Sequence, residues 1–197
     1  MEKIVILASN NKYKLEEISK KLAEFDIKVI PQREAIGDLE VEETGTTFAE
    51  NAILKAEAIY KIAGKPVIAD DSGLAVDYLN GEPGVYSNRF AGPNATDDDR
   101  INKIIEALDG VEDEKRTARF ICSICYVDEN GEKHVFENSC EGIIAREKHG
   151  DNGFGYDPIF MVGDKSFAEI SKEDKNKISH RGKAIADFVN YLKSQKV

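Results

Sequence analysis

Apolar positions along the 197-residue chain follow two periods, and each predicts a different kind of element. Ile4 to Ala8 is a short continuous apolar run that predicts a buried strand. Leu15, Ile18, Leu22 and Phe25 then recur at amphipathic spacing and predict a helix from about Lys12 to Phe25. A strand over Ile27 to Ile30 stops at Pro31, and the acidic loop GDLEVEETG follows. Thr47 and Glu50 form a T-x-x-E capping box that opens a helix running to Ala63 and ending at Gly64. The run Val67-Ile68-Ala69 predicts a core strand ending at Asp70, with a second, shorter strand around Leu74 to Leu79. Thr96 caps a further helix whose first turn holds Asp97, Asp98 and Asp99, where carboxylates suit the positive end of the helix dipole; Gly110 closes it.

The second half changes period. Arg119 to Val127 is apolar on both faces and predicts a central strand. Asn130-Gly131 predicts a tight hairpin turn into Lys133 to Cys140, and Gly142 to Arg146 continues as strand. A glycine-rich loop leads to Pro158-Ile159-Phe160. A short helix near Ser171 and a longer one from about Arg181 to Lys193 close the chain. The expected fold is α/β, with a mixed β-sheet flanked by helices, because a βαβ opening is joined to a hairpin. No internal repeat or linker interrupts it.

Composition narrows the function classes. With 41% apolar residues and no tryptophan, the chain reads as one globular domain or two lobes sharing a sheet. No apolar stretch approaches the roughly 20 residues that span a bilayer. The N-terminal MEKIVILASNN is too short and lacks a small-residue cleavage site, so no signal peptide and a cytoplasmic location are expected. Cys122, Cys125 and Cys140 fit a reducing compartment. Cys122 and Cys125 spell C-x-x-C, but residues three apart in a strand point to opposite faces and cannot share a metal. A formal net charge of -10 argues against nucleic acid as the main partner. Basic residues nevertheless gather at Lys12 and Lys14, and again at Lys172, Lys175, Lys177, His180, Arg181 and Lys183, which suits a small anionic ligand.

Four places carry candidate chemistry. Ser9-Asn10-Asn11-Lys12-Tyr13-Lys14 runs from a strand into a helix start, which is either a phosphate cradle or a plain cap by Ser9 or Asn10. Asn51 and Lys55 share one helix face, roughly 100° or more from the solvent stripe of Glu50, Glu57 and Lys61. They serve either a structural hydrogen bond or a polar cleft. Asp70 and Asp71 stand next to each other at a strand end, where mutual repulsion calls for a nearby cation. In NGFGYDPIF, glycines flank Phe154, leaving its ring able to stack on a flat ligand, with Tyr156 and Asp157 beside it. Neither G-x-x-x-x-G-K-[ST] nor G-x-G-x-x-G is present.

Taken together, S-x-N-x-x-K at Ser9 to Lys14, TFAENAILKA, IADDSG, PGVYS, GFGYDPIF and ISHRGKA occur in the order and spacing of the inosine triphosphate pyrophosphatase family. The chain resembles that family from Ile4 to about Phe188. The resemblance implies a single domain over residues 1–197, with an elongated sheet, two lobes and a central substrate cleft. It implies a homodimer, while the net charge and the lack of a long apolar stretch lead to the expectation of no nucleic-acid or membrane partner. It also implies Mg²⁺-dependent hydrolysis of ITP, dITP and XTP to the monophosphate and pyrophosphate, which keeps deaminated purines out of DNA and RNA. By the same resemblance Asp71 is general base and metal ligand and Glu42 is the second metal carboxylate; we read Asp70 as supporting them. The cation offsets repulsion between the two aspartates. Ser9, Asn10, Asn11, Lys12, Tyr13, Lys14 and Lys55 grip the triphosphate, and Ser72 contacts substrate. Phe154 stacks on the base, with Gly155, Tyr156 and Asp157 completing that wall, while Lys175, His180 and Arg181 surround the purine 6-oxo edge. The departures are Asn152 and Asn10, where many members carry glycine. Two other readings fit less well. An aspartyl-phosphate phosphatase wants D-x-D, and a non-catalytic nucleotide binder would lack the carboxylates Glu42 and Asp71.

Overall fold

Strands β1 (Lys3–Leu7), β2 (Ile27–Pro31) and β3 (Val67–Val76) pack in parallel, as the apolar runs require. The structure is a computed structural model that describes residues 3–195. Its seven strands form one mixed sheet in the order β2-β1-β3-β4-β5-β6-β7, the α/β architecture expected. The remaining strands are β4 (Thr117–Val127), β5 (Lys133–Ile144), β6 (Phe160–Val162) and β7 (Lys165–Ser166). The chain divides into two compact units. One holds residues 3–71, Ser123–Glu137 and residues 184–195; the other holds Ser72–Cys122 and Asn138–Lys183.

In the first unit, β1 pairs with β2 in register from Lys3↔Ile27 to Leu7↔Pro31, and with β3 at Ile6↔Val67 and Leu7↔Ile68. Helix α1 (Lys12–Leu22) is shorter than its periodicity suggests, because residues 23–25 tighten into a 3₁₀ turn that ends on left-handed Asp26. A five-residue helix, α2 (Gln32–Ile36), lies between Pro31 and the acidic loop, where no element was expected. Helix α3 (Phe48–Ala63) has the full capping box: Thr47 accepts from the Glu50 amide, Glu50 reaches back, and Gly64 at φ 58° closes the helix. Ala52, Ala56 and Ile59 of α3 pack on Ile6, Val67 and Ala69, with Cys125 and Val127 beside them. Small alanines let the helix lie close to the strands, and burial of a side chain the size of Ile59 contributes about 1.5–3 kcal/mol. The hairpin turn spans Asp128 to Glu132, longer than the two-residue turn expected, with the Asp128 carboxylate accepting from the amides of Asn130 and Glu132.

In the second unit, α4 (Asp97–Ala107) lays Ile101 and Ile104 against Leu74 and Val76 of β3 and against Phe120, Phe160 and Phe167. Those three rings form a cluster with centroids 4.6–5.8 Å apart. Arg116, only 2% exposed, donates to the carbonyls of Ile144, Leu108 and Ala145 and so satisfies its buried charge with dipoles. Helix α5 (Lys172–Ile178) and helix α6 (His180–Ser194) meet at Ser179. Gly182 brings the start of α6 against the end of α5, where an added Cβ would sit 1.8 Å from the Asn176 carbonyl oxygen.

All three cysteines are buried and none forms a disulfide. Burial pushes the Cys125 thiol up to about 12, so it is chemically inert at neutral pH.

Candidate functional site

The strand β3 does not end at Asp70; it runs unbroken through Asp71, Ser72 and Gly73 to Val76. Side chains on a strand alternate, so Val67, Ala69 and Asp71 share the face that meets α3, while Ile68 and Asp70 share the other. The two aspartates therefore point to opposite faces, although the charge of Asp70 still helps to raise the Asp71 carboxyl. Each has its own lysine. Lys14 Nζ lies 2.8 Å from Asp70 Oδ2 and 2.9 Å from Oδ1. Lys55 Nζ lies 3.6 Å from Asp71 Oδ1, donates to the Asp70 carbonyl at 2.7 Å, and pairs with Glu43 at 2.7 Å.

Asn51 fixes the other oxygen of Asp71. It is fully buried, donates from Nδ2 to Asp71 Oδ2 at 3.1 Å, and accepts the Gly45 amide on Oδ1 at 2.8 Å. Gly45 has no room for a side chain, since a Cβ there would sit 2.6 Å from Asn51 Oδ1. One amide thus ties the loop carrying Glu42 and Glu43 to Asp71. Burial pushes the Asp71 carboxyl above the ordinary aspartate range, against the pull of Lys55 and the Asn51 hydrogen bond. Burial also acts to lower Lys55, but Asp71, Glu43 and Asp70 outweigh it and hold that ammonium above its ordinary value.

Two of these residues were not assigned a role from sequence. Neighbouring side chains on an extended loop point opposite ways, so one of Glu42 and Glu43 turns inward. The structure half-buries Glu43 against Lys55 and leaves Glu42 exposed. Asn51 signalled itself only by lying off the solvent face of its helix. The donor set of the cluster is all oxygen, with three carboxylates against two ammonium groups. Hard oxygen donors and a residual negative charge fit a hard divalent cation. A separate group in the hairpin, Asp128, Glu132 and His134, brings its ligand atoms within 4.8 Å of one another.

At the start of α1 the residues divide their work. Asn11 is the cap, accepting the amides of Tyr13 and Lys14, and Ser9 Oγ accepts the Asn11 amide. Asn10 binds Asp38 and the Arg33 amide instead. Lys12 and Tyr13 are exposed, and Lys14 turns to Asp70.

In the second unit, Ser72 Oγ accepts from Arg181 at 3.0 Å. The ring of His180 stacks on Phe120 with centroids 4.8 Å apart. Phe154 stands between Gly153 at φ 81° and Gly155 at φ 60°, and is 55% exposed. Lys175 Nζ lies 4.9 Å from the centre of the Phe154 ring and pairs with Asp157. Asp157 and Tyr156 are buried beneath the loop rather than displayed on it. The Asp157 carboxylate accepts the Phe154 amide at 2.9 Å, and the Tyr156 hydroxyl donates to the Ser87 carbonyl at 2.8 Å. Burial pushes the Tyr156 phenol well up, so it stays protonated.

The Ham1 family model matches residues 5–191. The chain is 49% identical to the dITP/XTP pyrophosphatase of Desulforamulus reducens over 190 residues, which cover 95% of this chain and 94% of the relative. The solved structure of the Staphylococcus aureus Ham1 protein superimposes with a TM-score of 0.93 at 47% identity, covering 98% of this chain and all of that one. A crystal structure of a nucleoside-triphosphatase, dITP/XTP pyrophosphatase, from Mycobacterium abscessus gives a TM-score of 0.81 at 38% identity, covering 96% and 99%. Matched over nearly its whole length in both sequence and fold, the chain belongs to the Ham1 family.

Proposed function

We propose that this protein hydrolyses ITP, dITP and XTP to the nucleoside monophosphate and pyrophosphate, removing deaminated purine nucleotides from the cytoplasmic pool. The observation that carries the reading is Asp71. It is a buried carboxylate with one oxygen fixed by Asn51 and the other facing Lys55. Held above the ordinary aspartate range, it is a stronger base than a solvated carboxylate, which is what activating water near neutral pH asks for. Asp71 takes a proton from water as its oxygen bonds the α-phosphorus, the bond to the β-phosphate oxygen breaks, and pyrophosphate leaves. Lys14 and Lys55 face the charge that develops on the leaving group, and Ser9 to Tyr13 complete the triphosphate grip. Asp71 would hold Mg²⁺ together with Glu42, which stands exposed on the same loop whose Glu43 turns to Lys55; the ion when bound supplies Lewis-acid stabilisation of phosphate oxygens.

Phe154 stacks on the base, and Lys175, His180 and Arg181 present donors to a 6-oxo group. A 6-amino group there would leave donors facing donors, so adenine nucleotides are rejected. Gly155, Tyr156 and Asp157 form the loop behind the ring. The whole chain acts as one functional domain, and the resemblance extends to a homodimer, which sedimentation of the purified protein would test.

Incubation with ITP and Mg²⁺ should release pyrophosphate and IMP in equal amounts; release of orthophosphate instead would overturn the reading. Excess chelator should abolish turnover. Glu42→Gln should raise the Mg²⁺ concentration for half-maximal rate, because one hard ligand charge is gone while the base remains. An unchanged metal dependence would remove Glu42 from the metal site.

Phe154→Ala should raise KM for ITP and ATP alike, by about tenfold to a hundredfold for the loss of one base–aromatic stack. Lys175→Ala and Arg181→Ala should chiefly erode the preference for ITP over ATP. The ratio of kcat/KM for the two nucleotides in each variant decides this. If Arg181→Ala weakens both equally, Arg181 belongs with the phosphates.

A further inference from the structure

We infer that Asp97 is a positioning residue for the base: its carboxylate clamps the Gly155 amide and thereby sets the Phe154 ring. This rests on the reading of Phe154 as the stacking residue. Both flanking glycines adopt left-handed conformations and the ring is more than half exposed, so side-chain contacts such as that of Lys175, 4.9 Å from the ring centre, do little to fix it. The backbone must. Two consecutive amides end on two different carboxylates, Phe154 on Asp157 at 2.9 Å and Gly155 on Asp97 at 2.7 Å. Asp157 comes from within the loop and fixes its shape. Asp97 comes from the first turn of α4 and fixes its place.

The three first-turn aspartates of α4 have separate partners, and this identifies the role of Asp97. Asp99 completes the capping box with Thr96, so the helix start is already satisfied. Asp98 pairs with Lys148 at the surface. Asp97 remains for the loop, and Arg100 holds it there. The Arg100 guanidinium bonds Asp97 Oδ1 while donating to the carbonyls of Asn88 at 2.9 Å and Ala95 at 2.7 Å. A carboxylate braced on one oxygen and accepting an amide on the other makes a charge-assisted bond of fixed direction. Arg100 also helps hold the Asp97 carboxyl below the ordinary range, against its partial burial, so the acceptor is ionised throughout the working pH range.

The test compares Asp97→Ala, Asp97→Asn and Asp98→Ala by two readouts. Amide hydrogen exchange over residues 153–157 should quicken in Asp97→Ala, and less so in Asp97→Asn, which keeps an acceptor oxygen. Steady-state kinetics with ITP should show KM raised about tenfold in Asp97→Ala with kcat within about twofold, because stacking acts on ground and transition states alike. Asp98→Ala should match wild type in both. Unchanged exchange over 153–157 in Asp97→Ala overturns the inference. So does an equal loss of kcat in Asp97→Ala and Asp97→Asn with lowered thermal stability, which marks a merely structural residue. Failure of the wild type to hydrolyse ITP would instead overturn the functional reading beneath it, and the exchange data keep the two failures apart.

Discussion

Asp71→Asn is expected to cut kcat for ITP by on the order of 10²–10⁴, the contribution of a positioned general base, without loosening the fold. The substitution keeps the shape of the side chain. Asn51 can still donate to the new amide oxygen, and Lys55 keeps Glu43 and the Asp70 carbonyl. What disappears is the charge that accepts the proton. Stability should move the other way. Burial raises the Asp71 pKa in the folded state, so at neutral pH the ionised form costs the folded state more than the unfolded one. Removing that charge therefore leaves the melting temperature unchanged or higher, the trade expected where activity needs a destabilised group. Single-turnover rates and a thermal melt check both halves. A wild-type kcat at saturating Mg²⁺ would refute the assignment of Asp71 as base.

Gly182→Ala should have the largest effect on folding. On an ordinary helix this change stabilises by up to about 1 kcal/mol. Here the new methyl would sit 1.8 Å from the Asn176 carbonyl oxygen and 2.8 Å from its carbon. Those are backbone atoms, and no rotamer change moves them aside, so α5 and α6 must separate at Ser179. We expect a loss of at least about 3 kcal/mol, roughly 6–12 °C in Tm for a chain of this size. Activity should fall as well, since His180 and Arg181 lie in the same turn. A variant that melts like wild type would mean that the two helices do not approach this closely.

Much of this was legible in the sequence because local chemistry and tertiary demand agree. The T-x-x-E box at Thr47 and Glu50, the closing Gly64 and the apolar runs of β1 and β4 all describe elements that form where local rules place them. The continuation of β3 was not legible. Asp, Ser and Gly disfavour strands, and only the lysines arriving from α1 and α3 make an unbroken strand tolerable there. Helix α2 is too short to show a period. The choice between Glu42 and Glu43 depends on which way an extended loop is rolled, which composition cannot reveal. The aspartates at 97 to 99 looked alike as helix-dipole partners, and their different assignments arise from contacts up to 58 positions away.

The alternation of Asp70 and Asp71 across β3 also constrains how this segment can change in related chains. Replacing Ile68 by another aliphatic residue alters packing by a small amount and leaves each carboxylate opposite its own lysine. Deleting or inserting one residue between Val67 and Asp71 would exchange their faces, sending the base toward Lys14 and its neighbour toward Asn51. Such a chain would retain every residue type the chemistry uses and still have no base where Asn51 and Lys55 expect one. Variation here should therefore run through substitutions of matched size and never through a change of length.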